Sequence, residues 1–288
     1  MANTALLAVT LVWGVTFPLV KAALADTNPI SFCALRLSLA AVLLVGFYRP
    51  SWRRLPPRVW AVGALLGLFL SSGYVLQTAG LELTSPSAAA FVTSLSVILV
   101  PLLLGVFWRR KLSRAAWSGA ALALVGLYLL VAAGTGGGGA SGAAGRGDAL
   151  VGACALAFAL QIVCLGEWAP RLGYRDVAVL QVVFAALFTW IALPAVAAPR
   201  WHFTPLLWIA LGVTAVLATA VAFTVQSWAQ QFTSATHTAI IFAAEPVFAW
   251  LTSTLGYHEP LQRVQLAGAA LIVVAMLVVG WRPGRSRH

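Results

Sequence analysis

Charged residues are scarce in this chain of 288 residues: they make up 9% of it, and only seven of them are acidic. Because about a quarter of the residues in soluble domains are charged, the composition excludes an ordinary soluble domain. Hydrophobic residues reach 61%, and the mean hydropathy is +0.93. Lipid offers the backbone no hydrogen-bond partners and the alternating pattern of barrel strands is absent, so the sequence predicts an all-α integral membrane protein.

Residues that build metal and catalytic sites are also few, with three cysteines and four histidines. Cys33, Cys154 and Cys164 lie in apolar stretches without the spacing of metal ligands, which favours small buried side chains. His258-Glu259 lacks the second histidine of a zinc-protease helix, and the chain has no Gly-x-Ser-x-Gly motif. The sequence therefore predicts no enzyme, no catalytic residue, no metal and no cofactor.

Ten apolar stretches are each long enough to cross a bilayer, whose hydrocarbon core requires ~20 helical residues. The first stretch resembles a signal peptide with a candidate cleavage site at Ala23-Leu24-Ala25, but it has no basic start and its apolar run is too long, so we expect it to be retained. We number the stretches span one to span ten, at residues 5–24, 29–48, 59–80, 86–107, 114–133, 148–167, 177–197, 205–229, 235–256 and 262–281.

Positive charge is concentrated on one side of these spans. The net charge is +11, and the connections on one side carry thirteen lysine and arginine residues, against four on the other side. The positive-inside rule therefore predicts that both termini are cytoplasmic. The basic clusters are topology signals rather than a nucleic-acid surface, because the chain has no separate basic domain, and we predict no nucleic-acid partner.

The second half of the chain is a weak copy of the first. A shift of 149 residues places Gln77 on Gln226, and a shift of 145 places Arg36 on Gln181. Since each half holds five spans, the halves enter the membrane in opposite orientations, as in the inverted repeats of secondary transporters. We predict one membrane domain made of a first repeat at 1–133, a glycine-rich external linker at 134–147 and a second repeat at 148–288.

Two ionisable residues lie inside predicted spans, where polar groups are costly and often mark a transport pathway. Arg36 is in span two and Glu245 is near the middle of span nine. A lone carboxylate at this depth suits proton coupling, but either residue could instead be structural and satisfy a neighbouring helix. Pro18, Pro101 and Pro246 also fall inside spans, where kinks are candidate hinges or only shape the packing.

Glutamines and aromatic residues share helical faces in several spans. An amide both donates and accepts, so it can bind a zwitterion or a hydroxyl without a buried charge; the alternative is that the glutamines bond helix to helix. The aromatic residues could line an apolar cavity, although most aromatics in membrane spans meet lipid or pack between helices. The predicted substrate-binding residues are Trp13, Phe17, Tyr74, Gln77, Phe91, Ser94, Gln161, Phe223 and Gln226.

Short motifs in both halves suggest a family. Span one carries Trp13-Gly14 with Phe17, and span four opens with Thr84-Ser85. In the second half, the stretch 244–249, Ala-Glu-Pro-Val-Phe-Ala, is followed by His-Glu-Pro-Leu at 258–261. These motifs resemble the two EamA repeats of the drug/metabolite transporter (DMT) superfamily over essentially the whole chain. The first repeat departs from the pattern, because basic residues at 109–111 occupy the stretch where the family has an acidic position.

The resemblance implies a ten-helix exporter of metabolites, often amino acids, in the bacterial inner membrane. It implies a central cavity built mainly by spans one, three, four, six, eight and nine, and within the family the chain is most similar to YddG-type exporters of aromatic and other amino acids. We therefore expect a small-molecule substrate, a lipid bilayer around the chain and alternating access between the halves. The oligomeric state stays open, with a monomer as the simplest case. A broad drug exporter, a channel, a lipid flippase and a membrane assembly protein are the alternatives.

Overall fold

The computed structural model describes residues 1–132, 142–257 and 263–280. This part of the chain is helical, apart from an isolated bridge between Thr27 and Trp201 and short connections. Seven of its helical stretches are long and apolar enough to cross a membrane by length and composition. The predicted all-α architecture of ten spans in two five-helix repeats is confirmed. The motif at 258–261 and most of the predicted linker lie outside the described residues.

The helices follow the predicted spans closely, except that spans four, eight and nine are each divided. In chain order the spans are Ala2–Ala23, Pro29–Tyr48, Pro57–Leu83, Pro86–Thr93 with Ser96–Val106, Arg114–Ala132, Gly142–Leu172, Tyr174–Val196, Pro205–Ala215 with Val216–Val221 and Ala222–Ala229, Ala235–Phe242 with Glu245–Tyr257, and Arg263–Gly280.

Span six begins at Gly142, six residues before its predicted start, so the end of the segment assigned to the linker is helical. Glycine has a low helix propensity, but it permits close packing between helices. A Cβ atom added to Gly80 of span three would lie 2.6 Å from the Gly147 carbonyl oxygen. Thr84 also donates a hydrogen bond of 2.9 Å to Asp148 Oδ1. The end of span three thus packs against the last residue of this segment, Gly147, and bonds to the following Asp148.

Spans four and nine begin with the same local structure in the two repeats. The Ser85 hydroxyl accepts a hydrogen bond from the Ala88 amide at 3.2 Å. Ser234, 149 residues later, accepts one from the His237 amide, also at 3.2 Å. A serine at this position satisfies one of the amide groups that a helix start leaves without a partner. The repeated Thr-Ser sequence therefore marks two equivalent helix starts.

Both spans are interrupted near the middle, again 149 residues apart. Span four breaks at residues 94–95 and span nine at 243–244. At each break the hydrogen bonding tightens to a three-residue step: Leu95 donates to the Val92 carbonyl and Ala244 to the Ile241 carbonyl, both at 3.1 Å. Such a turn inside a helix is a common feature of functional hinges. The two breaks face the region where the halves meet.

Span eight is interrupted differently, by a π-helical segment at Val216–Val221. In this segment the Thr219 hydroxyl donates to the Thr214 carbonyl, five residues earlier, at 2.8 Å. A π-helical turn shifts the backbone hydrogen bonds and is frequent at functional sites. Here it presents the Ala218 carbonyl oxygen to side chains of other spans.

The two halves interlock instead of forming separate bodies. Span three packs on spans six and seven, span five on span ten, span two on span seven, and span one on span nine. The crossing of spans five and ten shows how closely the backbones approach. A Cβ atom on Gly126 would lie 2.7 Å from the Gly268 carbonyl oxygen, and one on Gly268 would lie 2.6 Å from the Gly126 carbonyl oxygen. The core of the protein is thus the interface between its repeats.

Candidate functional site

A cavity lies between the halves, next to the two breaks and the π-helical segment. The centres of water molecules could occupy about 60 Å³ inside it. A single water needs roughly 10–15 Å³ on this measure, so the cavity admits several waters or a small solute. Nine residues singled out from the sequence line it: Trp13, Phe17, Arg36, Tyr74, Gln77, Gln161, Phe223, Gln226 and Glu245.

The lining follows the internal repeat. Trp13 and Phe158 are equivalent residues of spans one and six, and both line the cavity. Gln77 and Gln226 are equivalent residues of spans three and eight, and both line it as well. The cavity therefore lies on the pseudo-two-fold axis that relates the repeats, which is where transporters with inverted repeats bind their substrates.

Aromatic rings form a continuous row along the cavity. Trp13 contacts Phe242 with ring centroids 4.9 Å apart and Phe223 with centroids 5.7 Å apart. Tyr74 continues the row, at 6.0 Å from Phe223 and 5.5 Å from Phe158. These distances and the tilted or edge-to-face geometries are favourable for aromatic pairs. The row provides a preformed apolar wall that spans both halves.

A network of buried amides forms the polar side of the cavity. Gln161 Nε2 donates to Gln181 Oε1 at 2.9 Å, and Gln181 Nε2 donates to the Ser227 hydroxyl at 3.1 Å. Gln226 Nε2 lies 3.1 Å from Gln161 Oε1 and 3.2 Å from Gln230 Oε1. The glutamines therefore do bond helix to helix, as the structural alternative predicted, and two of them also face the cavity.

Gln226 is the member of the network with spare bonding capacity. Its Oε1 atom is buried and has no hydrogen-bond partner among the described residues. Reversing the amide would place Oε1 against the oxygens of Gln161 and Gln230, so the network fixes its orientation. A buried acceptor without a donor is costly. Gln226 Oε1 therefore has acceptor capacity that the described residues do not use.

Gln77, the equivalent residue in span three, has a simpler environment. Its Nε2 donates to the Thr93 hydroxyl at 3.1 Å, across to the end of the first helix of span four. The side chain is only partly buried. Gln77 therefore belongs to the cavity wall but not to the amide network.

Glu245 is the first residue after the break in span nine, and it is 6% exposed. Among the described residues, the ion pairs join Glu167 to Arg110 and Arg171, and neither includes Glu245. Its equivalent in span four is Ser96, which also lines the cavity. The carboxyl group thus occupies a position that the first repeat fills with a neutral hydroxyl.

Comparison with known proteins identifies the family. A sequence profile of the EamA-like transporter family matches residues 1–132 and 145–281. The chain belongs to the EamA-like transporter family. It is 31% identical to an uncharacterized transporter of Archaeoglobus fulgidus over 98% of this chain and 86% of that protein. It is also 31% identical to the uncharacterized transporter YvbV of Bacillus subtilis, over 96% and 91%. The resemblance to EamA repeats is therefore confirmed, and the chain is a multi-pass membrane transporter.

A protein of known crystal structure has the same fold as this chain, at a lower sequence identity than the two relatives above. It is 21% identical, superposes with a TM-score of 0.79, and is matched over 100% of this chain and 99% of that chain. At this identity the likeness concerns the fold of the EamA-like transporter and not its substrate.

Two residues predicted to bind substrate do not line the cavity of this EamA-like transporter. Phe91 packs in an apolar cluster that includes Val97 and Ile240. The Ser94 hydroxyl is buried at the break and donates to the Ala90 carbonyl at 2.9 Å. Span four instead lines the cavity with Thr93 and Ser96, one on each side of the break.

The three candidate hinge prolines have different positions. Pro246 is the second residue after the break in span nine, while Pro101 is inside the second helix of span four and Pro18 is inside span one. The residue equivalent to Pro246 in span four is Val97, so a proline is not required for a break of this kind. Their role as hinges stays a prediction.

Several residues that line the cavity were not predicted as binding residues, because they belong to no distinctive motif. Thr16 and Phe158 could have been found from the repeat, since their equivalents Gln161 and Trp13 were selected. Lys21 was read only as a topology charge. Its Nζ donates to the carbonyl oxygens of Leu81 and Thr84 at 2.6 and 3.0 Å. Because Leu81 lines the cavity, Lys21 fastens span one to span three at one end of it.

Proposed function

We propose that this EamA-like transporter exports amino acids with aromatic or other hydrophobic side chains, across a bacterial inner membrane and with both termini in the cytoplasm. The observation that carries the proposal is the buried Gln226 Oε1, an acceptor fixed in orientation and without a partner among the described residues. An α-ammonium group supplies the missing donors. The aromatic row beside it suits an apolar side chain.

The size and composition of the cavity support a small amphipathic substrate. Most of its lining surface is apolar, and polar groups from spans one, two, three, four, six, eight and nine interrupt it. This combination is the usual form of a small-molecule site, in which polar groups set orientation and apolar groups contribute affinity. A substrate with one zwitterionic end and one apolar side chain matches both parts.

Transport by alternating access is part of the proposal. Discontinuous helices at the interface of inverted repeats let one half rock against the other around a central site. Spans four and nine break at equivalent residues beside the cavity. The short connections at 94–95 and 243–244 would absorb the change in helix direction. Glu245, at the second break, is the candidate for proton coupling.

The deciding experiment is uptake of radiolabelled amino acids into proteoliposomes with the purified protein, with and without a pH gradient. We expect saturable uptake of phenylalanine, leucine or related amino acids. Gln226→Ala should lose most of this uptake, whereas Gln231→Ala, which changes an amide one turn away and outside the cavity lining, should keep it. Absence of uptake for every amino acid from folded protein would overturn the proposal.

Export of apolar drugs is the second candidate, and the aromatic row favours it because flat apolar solutes stack on such rings. Competition separates the two functions. If aromatic dyes or drugs inhibit amino acid uptake only weakly, the amide network sets the specificity. If they are transported and amino acids are not, the protein is a drug exporter.

A further inference from the structure

We propose that Arg36 is the anion-binding residue of the cavity and that it holds the carboxylate of the transported solute. This inference rests on the proposed function, and it assigns a ligand group to a residue that sequence analysis left between a coupling and a structural role. The inference depends on the surroundings of the Arg36 guanidinium group, which bonds to residues outside the amide network.

The guanidinium group of Arg36 is deeply buried but faces the cavity. The residue is 4% exposed and is part of the cavity lining. Its Nε donates to the Thr219 hydroxyl at 2.8 Å, and its Nη2 donates to the Tyr74 hydroxyl at 2.9 Å and to the Ala218 carbonyl at 3.2 Å. Its Cζ lies 4.0 Å from the centre of the Tyr74 ring. These contacts fix the direction of the group.

All of these partners are neutral. Among the described residues, no salt bridge involves Arg36, although Glu245 lines the same cavity. A buried cation without a counter-charge is strongly unfavourable, whereas hydroxyl and carbonyl acceptors compensate it only in part. Among the residues that the structure describes, the bonds of Arg36 use Nε and Nη2, which leaves Nη1 for a ligand. A carboxylate in the cavity would provide the missing negative charge.

The π-helical segment of span eight binds the Arg36 guanidinium group through Ala218 and Thr219. Its Ala218 carbonyl accepts from Trp13 Nε1 at 2.8 Å and from the Tyr74 hydroxyl at 3.1 Å, besides Arg36. A regular α-helix would pair this carbonyl with the Ala222 amide, but that amide donates to the Leu217 and Thr219 carbonyls. The departure from regular geometry in span eight thus collects three side chains from spans one, two and three around one oxygen.

The equivalent residue in the second repeat shows that the fold does not need a cation at this position. It is Gln181, which is fully buried, bonds to Gln161 and Ser227, and is absent from the cavity lining. A neutral amide thus serves the packing role in one repeat. The charge in the other repeat faces the cavity, where a packing role alone would not require it.

The test compares a carboxylate ligand with its neutral amide. Competition against labelled phenylalanine uptake is measured in proteoliposomes with phenylalanine and phenylalaninamide, and in parallel with leucine and leucinamide. We expect wild type to prefer the carboxylates by about tenfold or more, which corresponds to about 1.4 kcal/mol. Arg36→Gln should reduce this preference to about twofold or less, and Arg36→Lys should keep part of it. Equal weakening of both ligands in Arg36→Gln would overturn the inference.

A second variant keeps the test valid if Arg36→Gln does not fold. Thr219→Val removes the acceptor of Nε but leaves the charge in place, and it should lower the carboxylate preference several-fold. Thr224→Val is the matched control, because Thr224 is in the same span, donates only to the Ala220 carbonyl at 2.8 Å and is outside the cavity lining. An unchanged preference in Thr219→Val would contradict the inference.

The outcomes separate this inference from the proposed function. If folded wild-type protein transports no amino acid, the proposed function is wrong, and the inference about Arg36 is wrong as well. If amino acids are transported and Arg36→Gln discriminates carboxylate from amide as wild type does, only the assignment of Arg36 fails.

Discussion

Span four breaks at residues 94–95 and span nine at 243–244, with equivalent serine caps at their starts and equivalent hydrogen bonds at their breaks. The side chains that follow are different: Ser96 in one repeat and Glu245 in the other. The same backbone thus carries a hydroxyl on one side of the cavity and a carboxyl group on the other. The repeats share the interrupted backbone, while the chemistry of the site is asymmetric.

The same asymmetry holds for the second pair of polar residues. Arg36 faces the cavity from span two, whereas Gln181 is withdrawn into the amide network. Tyr74 and Phe223 likewise differ by a hydroxyl that bonds to Ala218. A symmetric cavity would bind a symmetric solute best. Different groups at equivalent positions distinguish the two ends of a solute, and substitutions at these positions should reveal which differences matter.

The largest expected effect is on folding, at the contact between span one and the break in span nine. A Cβ atom on Gly14 would lie 2.7 Å from both the Glu245 carbonyl oxygen and Phe248 Cβ. Gly14→Val should therefore destabilise the protein by about 3 kcal/mol, the upper end for overpacking. Thermal unfolding followed by size-exclusion chromatography measures this. Gly46→Val is the control, since nothing lies within 4 Å of that position; equal stability of the two variants would contradict the packing at the break.

Replacing the acidic residue tests the difference between the breaks directly. Glu245→Gln should reduce uphill transport driven by a pH gradient by about tenfold or more, while exchange of labelled for unlabelled substrate continues. Ser96→Ala, at the equivalent position, should change neither rate by more than about twofold, because it removes only a hydroxyl at the cavity wall. If the Glu245→Gln variant does not fold and does not exchange substrate, a structural role of Glu245 is favoured instead.

The paired glutamines should respond unequally. Gln226→Ala removes a free acceptor and also leaves the Gln161 and Gln230 oxygens without their donor, so it should weaken substrate affinity by about 10- to 100-fold. Gln77→Ala breaks a single bond to Thr93 and should cost about tenfold or less. Saturation kinetics of uptake, corrected for the amount of folded protein, measures both. A larger loss of affinity in Gln77→Ala than in Gln226→Ala would contradict the larger role assigned to Gln226.

The smallest effect is expected at Pro246. Span four breaks without a proline at the equivalent position, which is Val97, so the break in span nine should persist in Pro246→Ala. We expect the transport rate to stay within about threefold of wild type, because only the ring that loosens the helix start is lost. Complete loss of transport in a variant of normal stability would show that Pro246 is a hinge after all.

Much of the fold followed from patterns in the sequence. Apolar stretches of bilayer length predicted ten helices, and the matches between the halves predicted their inverted arrangement. Seven of nine predicted binding residues line the cavity: amides inside spans are costly and often mark a pathway, and the aromatics were selected on helical faces with polar residues. Phe91 and Ser94 lie outside the lining, since helical spacing groups residues on one face without showing which face meets the cavity.

By itself the sequence determined which segments cross the membrane, that the second half repeats the first upside down, and which costly polar residues lie within the spans. Hydrophobic length and residue identity are local properties, so they can be read along the chain. Only the tertiary structure decided that Arg36 meets the π-helical segment of span eight and that Gln226 Oε1 has no partner among the described residues. Both depend on hydrogen bonds between spans that are far apart in the chain, and no local pattern encodes their directions.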